Sequence, residues 1–185
     1  MTFYSSKPSR ATFNELFFGL HREEHLPVPT QQFQADIQFR AVSPARPFCI
    51  ENKVHVETYQ INHQGVTLAY RVTCGEDSVA IVTDHAPVEN QNYLGESMVE
   101  RAKSIGDLAF INEFNQGLVE FLRDCHTVVF DTHFTEKNFK PDWGHSTPQI
   151  ALDVCIKASV KRLILFHHAP EDLDGDVEDK VRQCK

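Results

Sequence analysis

Three apolar runs in this 185-residue chain end in side chains that can do chemistry. Ala80-Ile-Val-Thr83 leads into Asp84 and His85, Val128-Val-Phe130 into Asp131, and Leu163-Ile-Leu-Phe166 into His167 and His168. In α/β sheets, ligands gather at the carboxyl ends of strands, where loops diverge and side chains converge. One aspartate after a strand is an ordinary turn former. Three such ends, mixing carboxylate with imidazole, have the composition of a hard-to-borderline metal site for Zn²⁺, Mn²⁺ or Fe. Singly, Asp84 and Asp131 read as helix caps and His167 as a loop residue; jointly they point to one cation-holding pocket. Two loops extend the set. Asn62-His63-Gln-Gly65 sets His63 just before a strand, with Gly65 allowing a tight bend. Trp143-Gly-His-Ser-Thr-Pro148 sets His145 ahead of a helix start, whose amides attract anions such as phosphate. A helix cap accounts for Ser146, Thr147 and Pro148 but not for His145.

The elements that must position these residues follow from periodicity. Residues 1–30 read as a short helix around Phe13–Leu20, then a loop punctuated by Pro27 and Pro29. From Ala35 the pattern has period two: Ile37, Phe39 and Ala41 alternate with polar residues, and Val54, Val56 and Thr58 continue it. Thr67–Thr73 and Ser78–Thr83 flank Cys74-Gly-Glu-Asp77, a plausible hairpin turn. The first part of the chain is therefore expected to be an antiparallel meander. Residues 88–106 are polar and poorly periodic, and read as a loop with room for one helical turn. Leu108, Ile111, Phe114, Leu118, Phe121, Leu122 and Cys125 then recur at helical spacing, with Gly117 as a possible break. A buried strand at 127–130, a helix opened by Thr147 and Pro148, a strand at 162–166 and a charged surface helix complete an α/β chain.

Composition bounds the function. Twenty-six acidic residues against 18 basic give a formal net charge of −8, which argues against general electrostatic attraction to nucleic acid. No apolar run approaches the roughly 20 residues of a membrane span, and the first residues lack a secretory layout, so a cytoplasmic protein is expected. Five scattered cysteines form neither a disulfide scaffold nor a zinc ribbon. Ten histidines is a high count, and the candidate ligands among them are spread over strand ends far apart in sequence, unlike the local clusters of a metal buffer.

Asn62-His63, Tyr70-Arg71, Ala80-Ile-Val-Thr-Asp84, Phe130-Asp131-Thr-His-Phe-Thr135, Gly144-His-Ser-Thr147 and Leu165-Phe-His-His-Ala-Pro170 occur in the order found in one family. Over residues 25–180 the chain resembles the later part of a metallo-β-lactamase-fold hydrolase, nearest to the phosphodiesterase-like branch that includes ribonuclease Z. The resemblance implies a single domain over 1–185, the later portion of a four-layer αββα sandwich that is incomplete on its N-terminal side. It implies two divalent metals, Zn or Mn, in the complete domain. His63, Asp84 and His167 would be metal ligands, Asp84 bridging the two, with His168 the lesser choice of its pair. His145 would stabilise or protonate the phosphate or leaving group, oriented by Asp131. His85 and His133 match nothing catalytic.

The family's defining His-x-His-x-Asp-His is absent from the sequence. A di-metal site without those ligands is expected to bind metal weakly or in part. Three explanations stand open: a truncated chain, one half of a split protein, or a degenerate domain; the intact later residues favour truncation. The expected activity is phosphodiester hydrolysis in the completed protein, on a small phosphodiester rather than RNA. The alternative is a non-catalytic binding or dimerisation module. A later half alone should expose an apolar sheet face to a second copy or a complementing chain.

Overall fold

The computed structural model describes residues 2–5, 34–36, 38–44, 46–89, 94 and 96–184. Two compact units divide at Arg46 and Pro47. In the first, β1 (Thr2–Ser5) pairs in parallel with β2 (Gln38–Ala41). The period-two run from Ala35 thus forms a strand but does not join the expected meander. The helix read at Phe13–Leu20 lies outside the described residues.

The second unit holds a six-stranded sheet in the order β3-β4-β5-β6-β7-β8. β3 (Phe48–Ile50), β4 (Val54–Ile61), β5 (Thr67–Cys74) and β6 (Asp77–Val82) form the antiparallel meander. The β5–β6 hairpin closes on Gly75 and Glu76, with Cys74 opposite Asp77. Gly75 has φ +62°, the positive value a tight hairpin needs at its first central position. From β6 the sheet turns parallel, through β7 (Thr127–Asp131) to β8 (Arg162–Phe166). Parallel neighbours require crossovers, and the helices supply them.

Helix α1 (Glu96–Ile105) occupies the stretch read as loop. Its apolar stripe is sparse; Met98 and Ala102 are buried against Phe110 and Phe114, so tertiary packing supplies what periodicity lacked. Helix α2 (Asp107–Leu122) runs through Gly117 without a break. Phe114, Leu118 and Leu122 are buried as the spacing predicts, whereas Leu108 is exposed. Helix α3 (Pro148–Lys157) starts as expected: Pro148 is in its first turn and Thr147 Oγ1 accepts the Ile150 N–H. Helix α4 (Asp174–Gln183) closes the described chain.

The main core lies between one sheet face and two helices. Ala69, Ala80, Val82, Val128 and Phe130 pack with Leu118 and Leu122 of α2 and with Ala151 and Cys155 of α3. Residues of opposite parity fill the other face: Ile81 pairs with Val129 and Val129 with Ile164. There Val79 is 41% exposed, Ile81 45%, Ile164 42% and Phe166 51%. Among the described residues, no helix is long and apolar enough to cross a membrane.

Candidate metal centre

The parallel register of β6, β7 and β8 brings their carboxyl ends to one edge, and the side chains singled out at those ends meet there. Asp84 and His167 have φ of +56° and +58°. That left-handed conformation is uncommon without glycine, though Asp and His are enriched in it, and residues held so cluster at functional sites. His167 Nδ1 lies 3.1 Å from Asp84 Oδ1 and 3.9 Å from Asp131 Oδ2. His145 Nδ1 lies 2.8 Å from Asp131 Oδ2 and 4.0 Å from Asp84 Oδ1. One candidate ligand atom from each of Asp84, Asp131, His145 and His167 falls within 4.8 Å of every other.

These residues are not equivalent. Asp131 is fully buried, and both its oxygens are occupied. Oδ1 accepts the His133 main-chain N–H at 3.0 Å; Oδ2 accepts the His85 main-chain N–H at 3.1 Å and the His145 ring N–H. That hydrogen bond, against the opposing effect of burial, raises the His145 pKa above its ordinary value. A carboxylate committed to three donors orients its neighbours. Asp84 and His167 are each about one-third exposed (38% and 33%).

His63 stands beside this group, its ring centroid 5.7 Å from that of His145. Its Nδ1 lies 3.1 Å from the Gly144 carbonyl oxygen. A carbonyl can only accept, so Nδ1 carries the proton and Nε2 presents its lone pair. Metal-binding histidines use this arrangement to fix tautomer and ring orientation. Gly144, with φ +81°, supplies the bend that brings this carbonyl to His63.

His133 emerges as a member of the cluster that the spacing did not single out. Its ring stacks on His145 with centroids 4.7 Å apart and meets His167 edge-on at 5.4 Å. Burial, with His145 and His167 adding to it, lowers its pKa. His133 also completes a second three-nitrogen group with His145 and His167. The available signal was its place two residues after Asp131. His85 points elsewhere: its ring stacks on Phe114 and meets Phe130 edge-on, and burial pushes its pKa down to about 4. His168 borders an apolar recess with Leu163, Leu165 and Val181 instead of the cluster. At the start of α3, Ser146 and Thr147 are buried, and Thr147 Oγ1 takes the Ile150 amide, one of those read from the sequence as attracting anions.

The donor set suits a divalent cation. It combines carboxylate and imidazole, which Zn²⁺ and Mn²⁺ both accept. His133 Nδ1 is a buried polar atom with no hydrogen-bond partner among the described residues. Asp84 and His167 supply one oxygen and one nitrogen donor within this group, and His63 stands beside it.

No protein-family model matches the chain. A ribonuclease Z of Picrophilus torridus is 33% identical over 54 residues, which cover 28% of this chain and 18% of that protein. The metallo-β-lactamase fold protein YhfI of Bacillus subtilis superposes with a TM-score of 0.63 at 12% identity, over 99% of this chain and 58% of that one. The short form of human tRNase Z does so with a TM-score of 0.57 at 15% identity, over 91% of this chain and 60% of that one. The sheet, its helices and these likenesses define a protein of the metallo-β-lactamase fold. The chain spans less than two thirds of the length of each of these proteins.

Proposed function

We propose that this chain supplies part of the catalytic centre of a metal-dependent hydrolase that cleaves phosphodiester bonds. The observation that carries the reading is the meeting of Asp84, Asp131, His145 and His167 at one sheet edge. Asp84, His167 and His63 would be ligands of the two divalent metals, Zn or Mn, of the complete domain, with Asp84 shared between them. A divalent cation there supplies Lewis-acid polarisation of a phosphoryl oxygen and an acidified water. His145, whose protonated form Asp131 favours, would meet the charge that develops on the leaving oxygen and give it a proton from Nε2. Asp131 holds the His145 ring in orientation through Nδ1. The likeness to ribonuclease Z supports the phosphodiester class. The net charge of −8 favours a small phosphodiester over RNA.

The test is metal binding by the full chain, followed by hydrolysis of bis-p-nitrophenyl phosphate with and without a polypeptide carrying the His-x-His-x-Asp-His segment. Asp84→Ala is expected to abolish metal binding, and His145→Ala to lower hydrolysis about 10²–10³-fold with binding retained. Hydrolysis unchanged by both substitutions would overturn the assignment.

A second reading is favoured by the half-exposed row Val79, Ile81, Ile164 and Phe166: a binding module that pairs, through this face, with a second copy or a complementing chain.

A further inference from the structure

Lys180 is the one fully buried lysine among the described residues, although it lies on α4, most of whose residues are charged. Its ammonium has three protons and meets three acceptors. The carbonyls of Thr132 and His133 each lie 2.8 Å from Nζ, and Asp172 Oδ2 takes the third proton. The same Asp172 oxygen accepts the Ala169 N–H at 3.0 Å. One cation therefore joins α4 to the loop after β7 and to the loop after β8.

Those loops carry the site. His133 is held at both ends of its main chain: its N–H on Asp131 Oδ1 and its carbonyl on Lys180. Thr132 is gripped likewise, its N–H reaching the Phe166 carbonyl at 2.8 Å while its own carbonyl takes Lys180. Phe166 immediately precedes His167. The cation meets Thr132 and His133 at their main-chain carbonyls, which fixes position and leaves the His133 imidazole free to face its neighbours.

We propose that Lys180 is a positioning residue: from behind the site, its ammonium clamps the strand-end loops so that His133, His145 and His167 keep their places around Asp131 and Asp84. The proposal rests on the reading above only for which residues need placing.

Lys180→Met alone would strand the Asp172 charge, so the decisive variant is Lys180→Met with Asp172→Leu. Exchanging a whole buried ion pair for apolar side chains is often tolerated. Imidazole signals of the full-length, histidine-labelled chain are followed by NMR without metal, with His55 and His126 as remote controls. The expected result is native dispersion for the β3–β6 meander, unchanged controls, and split or broadened signals for His145 and His167 as well as His133. Mn²⁺ binding is expected to weaken about tenfold or more. A folded variant in which His145 and His167 stay single and unshifted overturns the proposal, as does a change confined to His133, which touches the clamp directly. Unfolding of both variants throughout overturns it too, since Lys180 would then be a determinant of the whole fold. If the unaltered chain binds no Mn²⁺, the hydrolase reading fails while the imidazole signals still decide the clamp.

Discussion

Asp131 Oδ2 and His145 Nδ1 are 2.8 Å apart though 14 positions separate them in sequence, and the carboxylate is fully buried while the imidazole is 13% exposed. A buried carboxylate that accepts main-chain N–H groups from His85 and His133 as well cannot move without breaking all three contacts. The bond favours the protonated ring, so the His145 pKa is raised. A raised folded-state pKa contributes stability that is fully present below the unfolded value near 6.5 and lost as pH rises through the folded value. Asp131→Asn is expected to bring the His145 titration, followed by NMR, back toward that of free histidine. It should also lower stability by about 1–3 kcal/mol, since a charged acceptor becomes neutral and one main-chain donor loses its partner. An unchanged titration would show that the bond does not govern His145.

His85 gives the opposite pH dependence. Burial beside Phe114 and Phe130 depresses its pKa from 6.5 to about 4. Between those values the unfolded chain binds the extra proton, so stability rises with pH there and is lost as pH falls. The full effect is on the order of 3 kcal/mol between pH 6.5 and 4. Chemical denaturation at a series of pH values should show this slope, and His85→Leu should flatten it. Equal slopes in both proteins would mean that His85 is not the group responsible.

Gly117 is required by Tyr59. A Cβ at position 117 would lie 2.5 Å from Tyr59 Oη, which donates to the Phe114 carbonyl at 2.9 Å. Gly117→Ala gains about 1 kcal/mol of helix propensity, yet overpacking costs about 1–3 kcal/mol, so a net loss of roughly 1 kcal/mol is expected. Tyr59→Phe removes the clashing oxygen, and a double-mutant cycle should show Gly117→Ala becoming cheaper in that background. Additivity of the two changes would place the strain elsewhere.

That glycine marks where sequence reading reached its limit. Periodicity located α2 and its buried face, but whether Gly117 breaks the helix depends on a tyrosine 58 positions earlier in the sequence. The strands from Val54 to Phe166 and the Thr147–Pro148 helix start were legible because each has a local pattern. Helix α1 was not, because its few apolar residues acquire meaning only against Phe110 and Phe114. The site divides in the same way. Asp84, Asp131 and His167 stand at strand ends and His145 before a helix, all visible along the chain. The roles of His133 and Lys180 arise from ring stacking and from main-chain carbonyls, which leave no spacing signature.

The sheet face opposite α2 and α3 bears on what the chain works with. Val79, Ile81, Ile164 and Phe166 are each 41–51% exposed and occupy neighbouring positions on β6 and β8, with Val129 between. Covering the remaining area would stabilise a complex by about 1 kcal/mol for each large side chain, about half of what full burial is worth. Aligned apolar side chains on several strands are the inner surface of a sandwich layer, for which a second sheet is the fitting partner. Sedimentation velocity over a concentration series should therefore show self-association of the chain, weakened by Ile81→Lys with Ile164→Asp. These outward-facing positions lie outside the helix-covered core, so the fold should survive the change. A dimer that binds no metal and hydrolyses nothing favours the binding module. A chain that binds metal and gains hydrolysis when a His-x-His-x-Asp-His-bearing sheet is added favours the catalytic reading. A monomer at every concentration, indifferent both to the substitutions and to such a sheet, would show that this face has no partner of either kind.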